Sequence, residues 1–232
     1  MALIKCPNCG KTISNTASLC PHCQSQLVSE SQRRNSLIAM WLCISGAILC
    51  LFADSLRYYF NYIRTTVDAS VWMSICYEKA GLFTLQNVAG TFSGIIITSA
   101  LIVWFLGAKQ MKKTVVQAGI LICIIILFVR VVRAIFTINS IYNPDLTRYS
   151  SLAIYILSIA LGLTLFFLNY EGKAKILIKC VGFLYVMSYL SYLVLEHIAS
   201  YSIPLDIAND VLYFITQIML IILFNYTAKQ SK

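Results

Sequence analysis

Six apolar runs dominate the chain, and each is close to the 20 or so helical residues that cross the hydrocarbon core of a bilayer. In chain order they are Ser36–Leu56, Asn87–Ala108, Thr114–Ile138, Ser150–Tyr170, Ile176–Leu195 and Ile207–Tyr226. None shows the alternating pattern of a membrane β-strand, whereas a helix satisfies its own backbone hydrogen bonds in lipid. We therefore predict an all-α membrane protein with six transmembrane helices.

The composition supports this prediction, because 59% of the residues are hydrophobic and only 12% are charged. Soluble domains carry about 25% charged residues. The polar parts predict the domain organisation: a cysteine-bearing segment over 1–27, a basic linker over 28–35, the membrane domain over 36–226 and a tail over 227–232. The first 35 residues lack the apolar core of a cleavable signal peptide, so we expect insertion to begin at the first span.

The distribution of basic residues predicts the orientation. If the N-terminus is cytoplasmic, the inner segments hold twelve Lys and Arg residues and the outer segments hold four, which are Arg57, Arg64, Lys79 and Arg148. Basic residues are retained on the cytoplasmic side. We therefore expect a multi-pass protein of the bacterial inner (cytoplasmic) membrane with both termini in the cytoplasm. This topology accounts for most of the net charge of +9 without a nucleic-acid surface.

The longest outer segment, residues 57–86, is rich in aromatic side chains such as Tyr58, Phe60 and Trp72. Aromatic side chains favour the membrane interface. Two interpretations stay open: a helix lying on the outer leaflet, which we favour, and a cap that senses a ligand.

Two C-x-x-C pairs form the strongest chemical motif. Cys6 and Cys9 make the first pair, and Cys20 and Cys23 follow after ten intervening residues. Four thiolates close a tetrahedral zinc site with no open position for catalysis. Gly10 tolerates the positive φ that folds the backbone back toward a metal. A segment this short cannot build a useful core, so we predict a structural zinc that supplies its folding energy.

These residues resemble the short zinc-ribbon domain found at the N-termini of many bacterial membrane proteins. The resemblance covers about residues 3–27. It rests on Ile4, Cys6-Pro7-Asn8-Cys9-Gly10, Ile13-Ser14, Ala17 and Cys20-Pro21-His22-Cys23, and it departs at Gln24, where the pattern usually has glycine. The resemblance implies a ribbon of short β-hairpin turns around a four-cysteine zinc. It implies no particular function and does not extend to the membrane region.

The ribbon has no aromatic residue, and its basic residues are Lys5 and Lys11. Nucleic-acid binding expects basic residues combined with aromatic platforms. We therefore expect no direct nucleic-acid binding, and we expect the ribbon to contact a cytosolic protein partner. Arg33 and Arg34 precede the first span, where they suit contact with anionic lipid headgroups.

Arg130 and Arg133 lie one helical turn apart in the outer half of the third span. Charged residues inside spans usually face a partner or an aqueous cavity. Asp54 and Glu196, with His197 beside it, are the predicted partners at a similar depth. Two interpretations remain: snorkelling or ion-paired arginines that fix helix packing, and a site for an anion or a lipid headgroup.

Gly90 and Gly94 form a G-x-x-x-G motif at the start of the second span. Small residues at this spacing permit close approach of helices. The motif therefore indicates helix packing, either within one chain or between copies in a homo-oligomer.

The sequence contains no H-E-x-x-H, phosphate-binding loop or nucleophile elbow. We therefore expect a non-enzymatic membrane sensor or scaffold of the kind found in bacterial defence and stress systems. The alternative is a channel or transporter whose anion-attracting cavity lies near Arg130 and Arg133. A membrane-embedded enzyme that acts on lipid ranks last.

Overall fold

A computed structural model describes residues 3–6, 9–14, 17, 20–23, 30–107, 113–138, 144–168, 174–197 and 203–229. Strands β1 and β2 span Leu3–Lys5 and Thr12–Ser14. The helices are α1 (Glu30–Thr66), α2 (Ala69–Glu78), α3 (Ala80–Gly107), α4 (Lys113–Ile138), α5 (Pro144–Phe166), α6 (Ala174–His197) and α7 (Ile203–Lys229). Six of the seven helices in these described residues are long and apolar enough to cross a membrane, and α2 is the exception. The chain is thus a membrane-spanning helical protein.

The six long helices pack as a closed ring. In the described residues α1 packs on α3, and the order continues through α4, α5, α6 and α7, which returns to α1. Connections between successive long helices are short, which makes neighbours antiparallel. We call the end of the ring that holds the start of α1 and the end of α7 the ribbon end, and the opposite end the distal end.

Polar contacts close the ring at the ribbon end. The hydroxyl of Thr227 on α7 donates to Oγ of Ser36 on α1 at 3.0 Å, and Nε1 of Trp104 on α3 donates to Thr227 at 3.3 Å. Trp104 also packs against Phe105 and Phe224 in the buried core. These contacts fix three helices at this end of the ring.

The closest packing between α5 and α6 occurs at two glycines that the sequence analysis did not select. A Cβ on Gly182 would lie 2.5 Å from the backbone nitrogen of Phe166, and a Cβ on Gly162 would lie 2.9 Å from the carbonyl oxygen of Gly182. Backbone cannot move aside as a side chain can. Gly162 and Gly182 therefore permit this crossing.

The outer segment differs from its prediction. The first span was predicted to end at Leu56, but α1 continues to Thr66, α2 forms a separate short helix and α3 begins at Ala80. No glycine or proline interrupts α1 after Leu56, and Phe60 is only 3% exposed because its ring meets those of Trp72 and Phe83. This segment therefore consists of the end of α1, the short helix α2 and the start of α3, which pack through their aromatic rings. The sequence suggested one surface helix here.

The cysteine-bearing segment contains an antiparallel hairpin. Leu3, Ile4 and Lys5 pair with Ser14, Ile13 and Thr12. Gly10 has φ 71°, and its amide donates to the carbonyl of Cys6 at 2.8 Å. This tight turn matches the expected role of Gly10.

Candidate functional site

Four cysteines meet beside the hairpin. The Sγ atoms of Cys6, Cys9, Cys20 and Cys23 all lie within 4.8 Å of one another. Sγ of Cys6 lies 3.6 Å from Sγ of Cys23, and Sγ of Cys9 lies 3.6 Å from Sγ of Cys20. Cys6 and Cys20 are buried together with Ile13.

The four thiols fit a tetrahedral metal ion. A Zn–S distance of about 2.3 Å places the sulfur atoms of a tetrahedron roughly 3.8 Å apart, close to the separations found here. A hydrogen bond from the backbone of Lys11 lowers the pKa of the Cys9 thiol, but desolvation and the three neighbouring thiols raise that pKa to about 12. Binding of a metal ion would displace the protons of these four thiols. These four residues can therefore hold a metal ion.

A second candidate site is a cavity of about 240 Å³ near the distal end of the ring, which we call the distal cavity. All six long helices contribute side chains to its wall. Its charged lining residues are Asp54, Arg57, Arg130 and Arg133. Charged groups within a membrane bundle are expensive unless they are paired or serve a site.

An ionic network ties three helices together beside this cavity. Arg57 on α1 lies 3.4 Å from Asp54 and also forms an ion pair with Asp210 on α7. The hydroxyls of Tyr58 on α1 and Tyr192 on α6 donate to Asp210, the latter at 2.7 Å. Asp210 thus joins α1, α6 and α7.

Sequence reasoning missed Asp210 and assigned Arg57 to an outer segment. The available signal for Asp210 was an acidic residue within the predicted span Ile207–Tyr226. Arg57 gave no comparable signal, because its place in the network depends on the continuation of α1 to Thr66.

The two predicted arginines lie at the same cavity and contact hydroxyl groups. Nη2 of Arg130 donates to the phenol oxygen of Tyr189 at 3.3 Å, and Nη1 of Arg133 donates to Oγ of Ser151 at 3.0 Å. Nε of Arg130 is buried and has no hydrogen-bond partner among the described residues. A Cβ on Gly94 would overlap the guanidinium of Arg130, so the missing side chain makes room for it.

The structure brings some of the predicted intramembrane residues together. Asp54 lines the same cavity as both arginines, and its ion pair to Arg57 was not predicted. The backbone of Glu196 and His197 ends α6, but their side chains lie outside the described residues. Pairing of either arginine with an acid stays a prediction.

Tyrosines line much of the cavity wall. Tyr185, Tyr189 and Tyr192 follow the spacing of one helix face on α6, and the rings of Tyr189 and Tyr192 contact Tyr155 and Tyr213. This spacing was a signal that the sequence analysis did not use. Phenol groups supply hydrogen-bond donors inside an otherwise apolar bundle.

A larger cavity of about 490 Å³, which we call the vestibule, adjoins the distal cavity. The two cavities share Arg57 and Gln86 as lining residues. The vestibule is also lined by Arg64 and by three aromatic rings from helices α1, α2 and α3, namely Phe60, Trp72 and Phe83. Basic groups thus extend from the vestibule into the bundle.

Comparisons with known proteins identify no relative: no protein-family model, no curated protein and no solved structure matches this chain.

Proposed function

We propose that this protein is a non-enzymatic membrane sensor whose ribbon holds a structural zinc through Cys6, Cys9, Cys20 and Cys23 and contacts a cytosolic protein partner. The observation that carries the proposal is the single continuous helix α1. It begins at Glu30, shortly after the four-cysteine cluster, and it carries Asp54 and Arg57 to the distal cavity.

Helix α1 would carry a movement from the distal cavity toward the end of the ring where it begins. Its 37 residues correspond to a length of about 55 Å at 1.5 Å per residue. Arg57 and Tyr58 attach its distal part to Asp210 on α7. A ligand that shifts this network would move a rigid helix, and small shifts of packed helices are a known switching device. The ribbon precedes α1 in the chain.

The surface of the hairpin supports a protein partner. Leu3 is 69% exposed, and Lys5 and Lys11 are exposed as well. An exposed apolar side chain beside basic groups suits a small protein contact better than a nucleic-acid surface that lacks aromatic platforms.

Site-specific photo-crosslinking in cells tests this proposal. A photoreactive residue at Lys11 should yield a defined protein adduct, and the adduct should disappear when Cys6 and Cys20 are both changed to serine. The same probe at Met73, which is exposed on α2, serves as the control. A ribbon probe that yields no adduct, or an adduct that survives loss of both cysteines, would contradict the proposal.

The distal cavity favours a second candidate function, a channel or transporter for anions. Three arginines line a polar cavity inside a ring of spanning helices, and such intramembrane groups often mark ion pathways. Purified protein in liposomes decides between the candidates. Anion flux that is lost in Arg133→Gln would support transport, whereas a tight bilayer together with ribbon-dependent crosslinking would support sensing.

A further inference from the structure

The described residues that line the distal cavity include more basic than acidic side chains. Arg57, Arg130 and Arg133 contribute three positive charges, and the acids of the described network, Asp54 and Asp210, contribute two negative charges. Both acids contact Arg57, whereas Arg130 has no acid partner among the described residues. A charged group among spanning helices carries a free-energy penalty unless it is paired or serves a site. A bound anion would remove this penalty.

Arg130 has unused hydrogen-bonding capacity. Its Nε is buried without a partner among the described residues, and its described hydrogen bond goes to the neutral phenol of Tyr189. A guanidinium offers five N–H donors in a planar fork. That fork matches two oxygens of a phosphate group and forms short charge-assisted hydrogen bonds with them.

Arg133 adds a second fork on the same wall. It lies one helical turn after Arg130 on α4, and its Nη1 bonds the hydroxyl of Ser151 on α5. A hydroxyl that accepts from an arginine keeps its own hydrogen free to donate to an anion. The wall near these two residues is therefore rich in donors.

The dimensions of the two cavities suit a phosphate group that carries a substituent. The distal cavity of about 240 Å³ corresponds to roughly eight water molecules at about 30 Å³ each. The adjoining vestibule is lined by Arg57 and Arg64, whose positive charge attracts an anion. Its three aromatic rings would accommodate an apolar chain attached to the anion.

We propose that the distal cavity binds one phosphate group through Arg130 and Arg133. The guanidinium of Arg130 occupies the space that the missing side chain of Gly94 leaves. The phosphate belongs either to an anionic lipid headgroup or to a small soluble anion. This inference names the ligand class of the sensing domain and in that respect rests on the proposed function.

Calorimetric titration of the full-length protein in detergent tests the site. The probes are inorganic phosphate, a short-chain phosphatidic acid and, as the uncharged reference without phosphate, a short-chain diacylglycerol. Arg130→Gln and Arg133→Gln should each weaken phosphate binding by about ten-fold or more, the loss expected for one charge-assisted hydrogen bond. Arg148→Gln provides the matched control, because Arg148 is exposed on α5 at the same end of the ring.

The two sources of phosphate give different outcomes. Phosphatidic acid that binds at least ten-fold tighter than inorganic phosphate and competes with it identifies a lipid headgroup. Equal affinity, or preference for the inorganic ion, identifies a soluble anion. Diacylglycerol that binds as tightly as phosphatidic acid would overturn the assignment to an anionic phosphate.

Absence of binding, or binding that Arg148→Gln weakens as much as Arg130→Gln does, would overturn the site itself. If Arg130→Gln does not fold, Arg130→Lys keeps the charge but removes the fork, and it should still weaken binding. Loss of ribbon crosslinking with phosphate binding intact would reject the proposed partner and leave this site standing. Loss of phosphate binding with crosslinking intact would reject this site and leave the proposed partner standing.

Discussion

Gly94 on α3 lies directly against the guanidinium of Arg130 on α4, and a Cβ on Gly94 would overlap Nη1 of that arginine. Gly90, one turn earlier, has a different neighbour, because a Cβ there would meet the Cβ of Ala53 on α1 at an ordinary 3.8 Å. The two glycines of one G-x-x-x-G motif therefore face different helices. Gly94 accommodates a charged side chain, and Gly90 lies at the α1–α3 contact.

Gly94→Ala should destabilise the protein and weaken phosphate binding. The new methyl group forces the guanidinium of Arg130 out of place. Because a guanidinium is the end of a flexible side chain, we expect a loss at the lower end of the about 1–3 kcal/mol that overpacking usually costs. Thermal unfolding in detergent, followed by tryptophan fluorescence, measures the loss. Gly90→Ala is the matched control and should unfold within a degree or so of the wild type. Equal effects of the two substitutions would show that the contact between Gly94 and Arg130 is unimportant.

Asp210→Asn should lower the stability of the ring. The substitution removes the charge that pairs with Arg57, and it leaves one amide oxygen where two carboxylate oxygens accept from Tyr58 and Tyr192. Breaking a fully buried ion pair costs about 3–5 kcal/mol, and we expect about 2–3 here because the Arg57 side chain is 27% exposed.

Adding Arg57→Gln to Asp210→Asn should recover part of that loss, since the second change removes the cation that has lost one of its two described acid partners. Asp68→Asn is the control, because it removes an exposed acid that precedes α2. It should leave the unfolding temperature unchanged. A double variant that is as unstable as the sum of the two single variants would argue against direct coupling.

One metal ion should bind per chain, and elemental analysis of the purified protein should identify it as zinc. Changing Cys6 and Cys20 to serine removes two of the four thiolates and should abolish binding. Cys180→Ser alters an exposed cysteine on α6 and should leave the metal content unchanged. Full zinc content in the Cys6 and Cys20 double variant would refute the four-cysteine site.

Both termini should lie in the cytoplasm. Reporter fusions at Lys232 and at Ser70, within α2, should report opposite sides of the membrane, because an odd number of spans separates these two positions under the predicted topology. Reports from the same side would mean that one long apolar helix does not cross the membrane.

The sequence located the cavity arginines but not the details of their contacts. Arg130 and Arg133 stood out because charged residues are rare in apolar spans. Their described hydrogen bonds go to Tyr189 and Ser151, which belong to other helices. Spacing along one helix does not reveal which neighbouring helix will supply a hydroxyl group, so these contacts were beyond sequence reasoning.

Local sequence determined the number of long apolar helices, the two paired-cysteine turns and the positive φ of Gly10, because each depends on hydropathy or on residues within a few positions. Tertiary structure decided what those elements form together. Closure of the ring between α1 and α7 brings Arg57 into contact with Asp210, which lies 153 positions later in the chain. It also brings side chains of six helices together around one cavity. Such long-range contacts depend on the order and tilt of packed helices, which no pattern within a single span encodes.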